Sequence, residues 1–514
     1  MIQVYNTLSK SKEEFVPIVP GKVGMYLCGP TVYKPSHIGH MVGPVIFDSI
    51  ARYLRYNGYD VRFVINMTDV DDKLIKESNA RGIAMSALAD EMIKDYKENI
   101  AALAVETPTE FPKATEFIAS MIAFIERLIE RGYAYASDGD VYFDVTKFAQ
   151  YGKLSNRTLE QMQGEGGLMA SQKRNASDFA LWKAAKPGEP SWESPWGPGR
   201  PGWHIECSVM CRDLLGDTFD IHGGGLDLIF PHHENEIAQS ECCTGKAYAK
   251  YWMHNGLMQA SSEVGKVGGR KTRDAELDAE AQESGKISKS KGASPFKETL
   301  KQFSGENIRF YLLSTHYRRP IDYSNERIAQ IGVGMDAFYR FFKRFERINL
   351  SPIYELDYPK NRTEGDAAQE GVSGEFLSEI KAFREKFLLA MDDDFNTGGA
   401  IGELFELLKR LNRFVDENAL ETSKNEALKV EFLAACRTFR ELSAILGVFI
   451  KKPEKVGASE GDNQLVSDLM ALLIELRANA KKAKDYASAD LIRNRLKDLG
   501  ITLEDRPGGT EWSK

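Results

Sequence analysis

Val23-Gly24-Met25-Tyr26-Leu27-Cys28, Gly29-Pro30-Thr31, His37-Ile38-Gly39-His40 and Val61-Arg62-Phe63-Val64-Ile65 are the pieces of the stretch whose reading decides the fold. The first and last are short apolar runs, and between them Val42, Ile46, Ile50 and Leu54 recur every four residues. Short apolar runs read as buried strands and a four-residue repeat as one helix face, so the order is strand, helix, strand. A helix between two strands carries the chain back to its starting edge, which makes the strands parallel. Asn66-Met67-Thr68-Asp69-Val70-Asp71-Asp72 then leaves the carboxyl end of the second strand, where open α/β sheets place ligand-binding loops.

Working outward, the pattern changes between 112 and 202. A helix is predicted over Ala114–Arg131, a strand pair around Tyr133–Tyr135 and Val141–Phe143, and irregular Pro/Gly/Trp-rich chain from Trp182 to Gly202. This reads as a subdomain inserted between residues 1–111 and 203–258, the two halves of a Rossmann-like catalytic domain. The second half is predicted as a helix at Ile205–Leu215, a strand at Phe219–His222, a turn at Gly223-Gly224-Gly225, and a helix at Ile229–Cys243 with Pro231 in its first turn. Residues 259–285 lack apolar periodicity and read as an extended polar loop, followed by a lysine-loop and stem-contact region at 286–357. After a break at Tyr358–Gly374, helical periodicity in Phe376–Leu389, Ala400–Val415, Ala427–Leu446 and Leu465–Leu499 predicts an all-α C-terminal region. Its parts are a bundle at 375–450 and a small subdomain at 464–514.

The bulk composition narrows the function class. At 514 residues, 42% of them hydrophobic, the chain is long enough for several cores, and a net charge of −8 argues against a general nucleic-acid coat or a polybasic membrane binder. Six cysteines, two adjacent at Cys242 and Cys243, do not form a disulfide framework for so long a chain. With no signal-like N-terminus and no apolar run of membrane length, the expected location is the cytoplasm.

Two constellations carry chemistry. His232 and Glu236, four apart on a predicted helix, share a face at metal-ligand spacing, and Cys28 and Cys207 fall near the gathering carboxyl ends of the sheet. Two thiolates with a histidine and a carboxylate suit zinc, while spacing alone leaves His233 open as the inward-facing histidine. His37 and His40 flank Gly39 at a helix start, where backbone N–H groups and the helix dipole favour an anion. Lys286-Ile287-Ser288-Lys289-Ser290 is a dense lysine run suited to closing on a polyphosphate. Each string alone is better explained as a solvated surface feature; their order in an α/β chain favours an ATP site beside a metal.

Taken with Trp203-His204-Ile205-Glu206-Cys207, the run His222–Glu236, Met391–Thr397 and Gly508–Trp512, these strings resemble the class I aminoacyl-tRNA synthetases, and within them the cysteinyl-tRNA synthetase family over nearly the whole chain. The resemblance implies that Cys28, Cys207, His232 and Glu236 hold one zinc ion. It implies that His37, Gly39 and His40 bind ATP, brought with Mg2+. It also implies that Lys289, helped by Lys286, holds the leaving pyrophosphate, and that Gly29, Thr31, Thr68, Trp203, His222 and Asp227 contact substrate. Three features depart from the family pattern: Ile287 replaces the usual methionine, the segment Gln259–Gly285 before it is longer than the family pattern, and Met41-Val42 follows the first histidine motif where a basic residue often stands.

The activity so implied is cysteine–tRNA ligation by a monomer acting on L-cysteine, ATP and tRNA(Cys), with no membrane partner. The C-terminal helices would contact tRNA, and Arg477, Lys481, Lys482 and Lys484 form the most basic local cluster. One rival is an ATP-dependent ligase joining cysteine to an amino-sugar, against which the long helical C-terminus argues. Another is a catalytically silent RNA-binding paralogue, against which the retained His37, His40, Lys286 and Lys289 argue.

Overall fold

The computed structural model of the chain describes residues 1–158, 173–260, 294–452, 460–506 and 509–513, in two compact units, Met1–Pro453 and Glu454–Lys514. In the first unit a hairpin of β1 (Gln3–Asn6) and β2 (Ser11–Glu14) precedes β3 (Lys22–Leu27), α1 (Gly39–Tyr56) and β4 (Asp60–Ile65). Strands β3 and β4 are parallel, in register from Val23 opposite Val61 to Leu27 opposite Ile65. Helices α2 (Asp72–Arg81) and α3 (Met85–Ala102) follow; the Asp71 carboxylate caps α2 by accepting the Lys73 N–H at 2.8 Å.

The inserted segment contributes α4 (Ile118–Glu130), β5 (Ala134–Ser137), β6 (Asp140–Phe143), β7 (Phe179–Ala184) and β8 (Gly199–Pro201), the strands forming one antiparallel sheet in that order. The sequence predicts irregular chain from Trp182 to Gly202, yet both ends of that stretch are strand, with Trp182 opposite Pro201. Proline is tolerated there because β8 is the sheet's edge.

The chain then returns through α5 (Trp203–Leu215), β9 (Phe219–Gly225), α6 (Glu234–Thr244) and β10 (Ala249–Asn255). The finished sheet is parallel throughout, in the order β10-β9-β3-β4. Its strands are buried along most of their length, as expected of a parallel sheet covered on both faces. Two expectations are corrected here. The three glycines predicted as a turn complete β9, pairing with Met253, His254 and Asn255. A Cβ on Gly223 would lie 2.2 Å from the Phe47 ring of α1, and one on Gly224 would lie 2.6 Å from His233, so these glycines serve close packing rather than a turn. Pro231 precedes its helix rather than opening it, because Phe230 is extended (φ −136°, ψ 135°) and α6 begins only at Glu234.

Beyond β10 come β11 (Met258–Ala260), α7 (Phe296–Leu300), α8 (Gly305–Leu313) and β12 (Ile321–Tyr323), with β11 and β12 paired in parallel. The bundle comprises α9 (Asn325–Asn349), α10 (Arg362–Ala368), α11 (Glu375–Asp392), α12 (Thr397–Glu417) and α13 (Glu426–Leu446). Helix α10 falls inside the predicted break, started by the Asn361 side chain, which accepts the Glu364 N–H at 2.9 Å. The lysine run at 286–290 and residues 261–285 of the polar loop lie outside the described residues.

In the second unit the single predicted helical stretch is two helices, α14 (Glu460–Lys482) and α15 (Tyr486–Asp498), broken where Lys484 takes a left-handed φ of 59°. A hairpin of β13 (Thr502–Arg506) and β14 (Gly509–Ser513) completes it around Met470, Leu496 and Leu503. Two of the four basic residues expected to face tRNA are committed inside this unit: Arg477 grips both Asp505 oxygens at 2.6 and 2.8 Å, and Lys481 reaches the same carboxylate at 2.7 Å. Among the described residues no helix is long and apolar enough to cross a membrane.

Candidate active site

The carboxyl ends of the four parallel strands deliver Cys28, Asn66, Leu226 and Gly256, and chemistry-bearing side chains gather there, where ligands bind in open α/β sheets. Gly29, directly after Cys28, is required by close approach: a Cβ there would lie 1.8 Å from the Asn66 carbonyl oxygen, and its own N–H donates to Asn66 Oδ1 at 2.7 Å.

Cys28 comes from the end of β3, Cys207 from α5, and His232 and Glu236 from either side of the start of α6. Cys28 Sγ is 3.7 Å from Cys207 Sγ and 3.6 Å from Glu236 Oε1, and His232 Nε2 is 3.1 Å from that same oxygen. A tetrahedral zinc with bonds of about 2.3 Å to sulfur and about 2.0 Å to nitrogen or oxygen sets sulfur pairs roughly 3.8 Å apart and nitrogen–oxygen pairs roughly 3.3 Å apart. The donor set fits that ion in both chemistry and spacing. Outer contacts aim it: Tyr248 OH donates to Glu236 Oε2 at 2.9 Å and His222 Nε2 meets the same atom at 2.9 Å, leaving Oε1 toward the sulfurs. His204 Nδ1 lies 2.9 Å from His232 Nδ1, which directs His232 Nε2 inward. Burial lowers the pKa of His232 to about 3 and raises the Cys28 and Cys207 thiols. The imidazole is therefore neutral and able to ligate, while the thiols need a bound cation to become thiolates.

A second group of donors overlaps the first: Cys28 and Glu236 with His222 and His233. It has a single sulfur, and His233 Nε2 is 4.0 Å from Glu236 Oε1 against 3.1 Å for His232.

Beside the cluster a cavity of about 670 Å3 is lined by Cys28, Gly29, Thr31, His37, Gly39, His40, Trp203 and Asp227 of the expected site residues. Trp203 joins cluster to cavity, its ring stacked on His232 at 4.4 Å. His37 Nδ1 accepts the Gly39 N–H at 3.1 Å and His40 Nδ1 accepts the His37 N–H at 3.2 Å. Each neutral ring therefore carries its proton on Nε2, so both are donors, as an anion over the start of α1 requires.

Two expected substrate contacts do not line the cavity. Thr68 is buried and turned inward, its hydroxyl donating to Glu206 Oε2 at 2.9 Å; burial holds the Glu206 carboxyl well above the usual range. His222 is fully buried, stacked on Trp252 at 4.5 Å, with Nε2 2.9 Å from Glu236 Oε2. Lys286 and Lys289 lie outside the described residues. The structure adds residues that the sequence reading gives no role. Tyr248, His204 and His254 surround the cluster, and Lys73, one residue past the Asn66–Asp72 string, is the only Lys or Arg among the described residues lining the cavity. Of these, only His204 carries a local signal, as part of the Trp203–Cys207 string.

Residues 14–266 match the family of class I (C) tRNA synthetase catalytic domains, and residues 386–450 match the DALR domain. A protein of Geobacter metallireducens named cysteine–tRNA ligase is 46% identical over 99% of both chains. One of Clostridioides difficile bearing the same name is 43% identical over 100% of both. Among solved structures, Mycobacterium tuberculosis methionyl-tRNA synthetase bound by methionyl-adenylate superposes with a TM-score of 0.55 at 16% identity, covering 83% of this chain and 90% of that one. That last likeness is one of fold.

Proposed function

The chain belongs to the cysteine–tRNA ligase family, and from that premise we propose how its site performs the ligation. The observation that carries the reading is a Cys28–Cys207–His232–Glu236 donor set bordering the same cavity as His37 and His40. In the first step the carboxylate of L-cysteine attacks the α-phosphate of ATP, forming the P–O bond of cysteinyl-adenylate as the bond to pyrophosphate breaks. In the second, a hydroxyl of the terminal tRNA(Cys) ribose attacks the adenylate carbonyl and AMP leaves. Neither step needs a side-chain nucleophile, so the protein acts by positioning and by stabilising charge.

His37 and His40 donate their Nε2–H groups to phosphoryl oxygens, and the N-terminus of α1 adds its dipole. Lys289, with Lys286, takes the pyrophosphate charge, and Mg2+ accompanies ATP. Cys28, Cys207, His232 and Glu236 would hold zinc, which when bound supplies a soft Lewis acid that accepts the substrate thiolate and refuses the hydroxyl of serine. Selectivity then needs no editing step, since a hydroxyl is both harder and far less acidic than a thiol. Asp227, on the cavity wall, offers a carboxylate to the substrate ammonium, Gly29 and Thr31 face the amino acid, and Trp203 closes over it. Thr68 and His222 act indirectly, through Glu206 and Glu236.

Residues 286–357 are assigned to the acceptor stem, and 375–450 and 464–514 to the tRNA body and anticodon. A cytoplasmic monomer completes the proposal. The test is amino-acid-dependent pyrophosphate exchange on protein of known zinc content, followed by transfer to tRNA(Cys). Exchange with cysteine, none with serine, and loss on chelation are expected. Folded, zinc-loaded protein that gives no exchange would overturn the reading.

A further inference from the structure

Three buried polar residues that do not line the cavity form a hydrogen-bonded line to the cluster. Thr7, just after β1, places its hydroxyl 2.8 Å from His254 Nδ1; His254, in β10, places Nε2 2.8 Å from His233 Nδ1; and His233 places Nε2 3.3 Å from Cys28 Sγ. Thr7 is 9% exposed, His254 2% and His233 not at all, so water does not complete these contacts. The line joins an N-terminal hairpin to a candidate metal ligand through two histidines, neither of them in the Cys28–Cys207–His232–Glu236 donor set.

Donor and acceptor accounting allows one arrangement when Cys28 is a thiolate. A thiolate only accepts, so His233 must present Nε2–H to it. A neutral imidazole has a single N–H, so His233 Nδ1 must accept, and His254 Nε2 must carry the proton that it accepts. By the same count His254 Nδ1 accepts, and the Thr7 hydroxyl donates. The thiolate thus fixes the tautomers of both histidines in series, and the Thr7 hydroxyl supplies the donor that the far end of the line needs.

We propose that Thr7, His254 and His233 are positioning residues for the metal centre, a tautomer relay that fixes a hydrogen-bond donor on the Cys28 thiolate and keeps His233 from competing with His232 as a ligand. The inference rests on the zinc reading above and deepens it. The overlapping donor group containing His222 and His233 is closed to metal because the relay places the proton on the nitrogen that would have to ligate. Metal-bound thiolates and histidines are tuned by such outer contacts, whose loss lowers metal affinity by about 10- to 100-fold.

The test uses the full chain, with Thr7→Val and Thr7→Ser compared with wild type. Valine keeps the shape and removes the donor, leaving His254 Nδ1 orphaned; serine restores the donor with less packing. Zinc affinity is measured by chelator competition, and the cobalt-substituted proteins are read by the sulfur-to-cobalt charge-transfer band. Thr7→Val is expected to bind zinc at least 10-fold more weakly with a shifted band, and Thr7→Ser to return both to near wild type. An unchanged affinity and band in folded Thr7→Val would overturn the relay, as would a Thr7→Ser protein as impaired as Thr7→Val, since packing would then be the cause. Failure of the wild-type chain to bind zinc is a different result: it overturns the metal reading itself.

Discussion

Cys207 shows how one residue can carry two consequences. Its thiol, 3.7 Å from Cys28 Sγ, is fully buried and titrates high, so it does nothing useful as a free thiol and becomes a ligand only against a cation. Cys207→Ala removes one of two sulfurs while leaving α5 its helix-forming residue. Zinc content and discrimination against serine should fall together in this variant, the first read by metal analysis and the second by exchange with each amino acid. Full zinc content with undiminished selectivity would remove Cys207 from the site.

Helix α1 is the element on which the site turns. Its first residues carry the candidate phosphate contacts, and a turn or two on, Phe47 presses against β9 where Gly223 leaves room. Gly223→Ala would drive a methyl group to 2.2 Å from the Phe47 ring, and the helix rather than the strand must move, because β9 is held by parallel partners on both sides. Overpacking of this kind costs about 1–3 kcal/mol. The expected outcome is a lower unfolding midpoint together with a raised KM for ATP, since α1 carries His40 with it. A lowered midpoint with an unaltered KM would mean that the strain is absorbed locally.

Across the whole first unit, α1 is tied to the helical bundle by a buried charge. Arg309, wholly buried in α8, donates to Asp48 Oδ2 at 2.6 Å, to the Leu446 carbonyl at the end of α13 at 2.8 Å, and to the Leu103 carbonyl at 3.0 Å. Asp48 also accepts from Arg52 and from the Thr107 N–H and hydroxyl. Burial alone would raise the Asp48 carboxyl, but Arg309 and Arg52, with these hydrogen bonds, outweigh it and lower its pKa to about 2. A depressed carboxylate pKa stabilises the fold above the unfolded value near 3.8, and the contribution is lost as pH falls through about 2. The linkage is on the order of 2 kcal/mol. Replacing Asp48 by Asn strands Arg309 without a counter-charge, which costs about 3–5 kcal/mol. The difference in denaturation midpoint between wild type and Asp48→Asn should be largest above pH 4 and shrink toward pH 2. A difference that stays constant over that range would show that the charge contributes nothing.

What the sequence determined by itself is the local periodicity and the chemical kinds. Alternation between short apolar runs and four-residue spacing places β3, α1 and β4, because those patterns are set by backbone geometry within a few residues. Cys28, Cys207, His232 and Glu236 stand out by type, and resemblance groups them. Tertiary structure alone decided three things. Gly223 is strand rather than turn because Phe47, far back in the sequence, occupies the space a side chain would need. His222 and Thr68 face inward because the buried carboxyl groups of Glu236 and Glu206 take their hydrogen bonds. Arg477 and Lys481 are held by Asp505, on a strand beyond the next helix, so a basic cluster expected to face tRNA is half committed. The hydrogen-bond partners lie from 14 residues away, for His222 and Glu236, to 138, for Thr68 and Glu206, and a contact made across the fold leaves no periodic trace in the residues that make it.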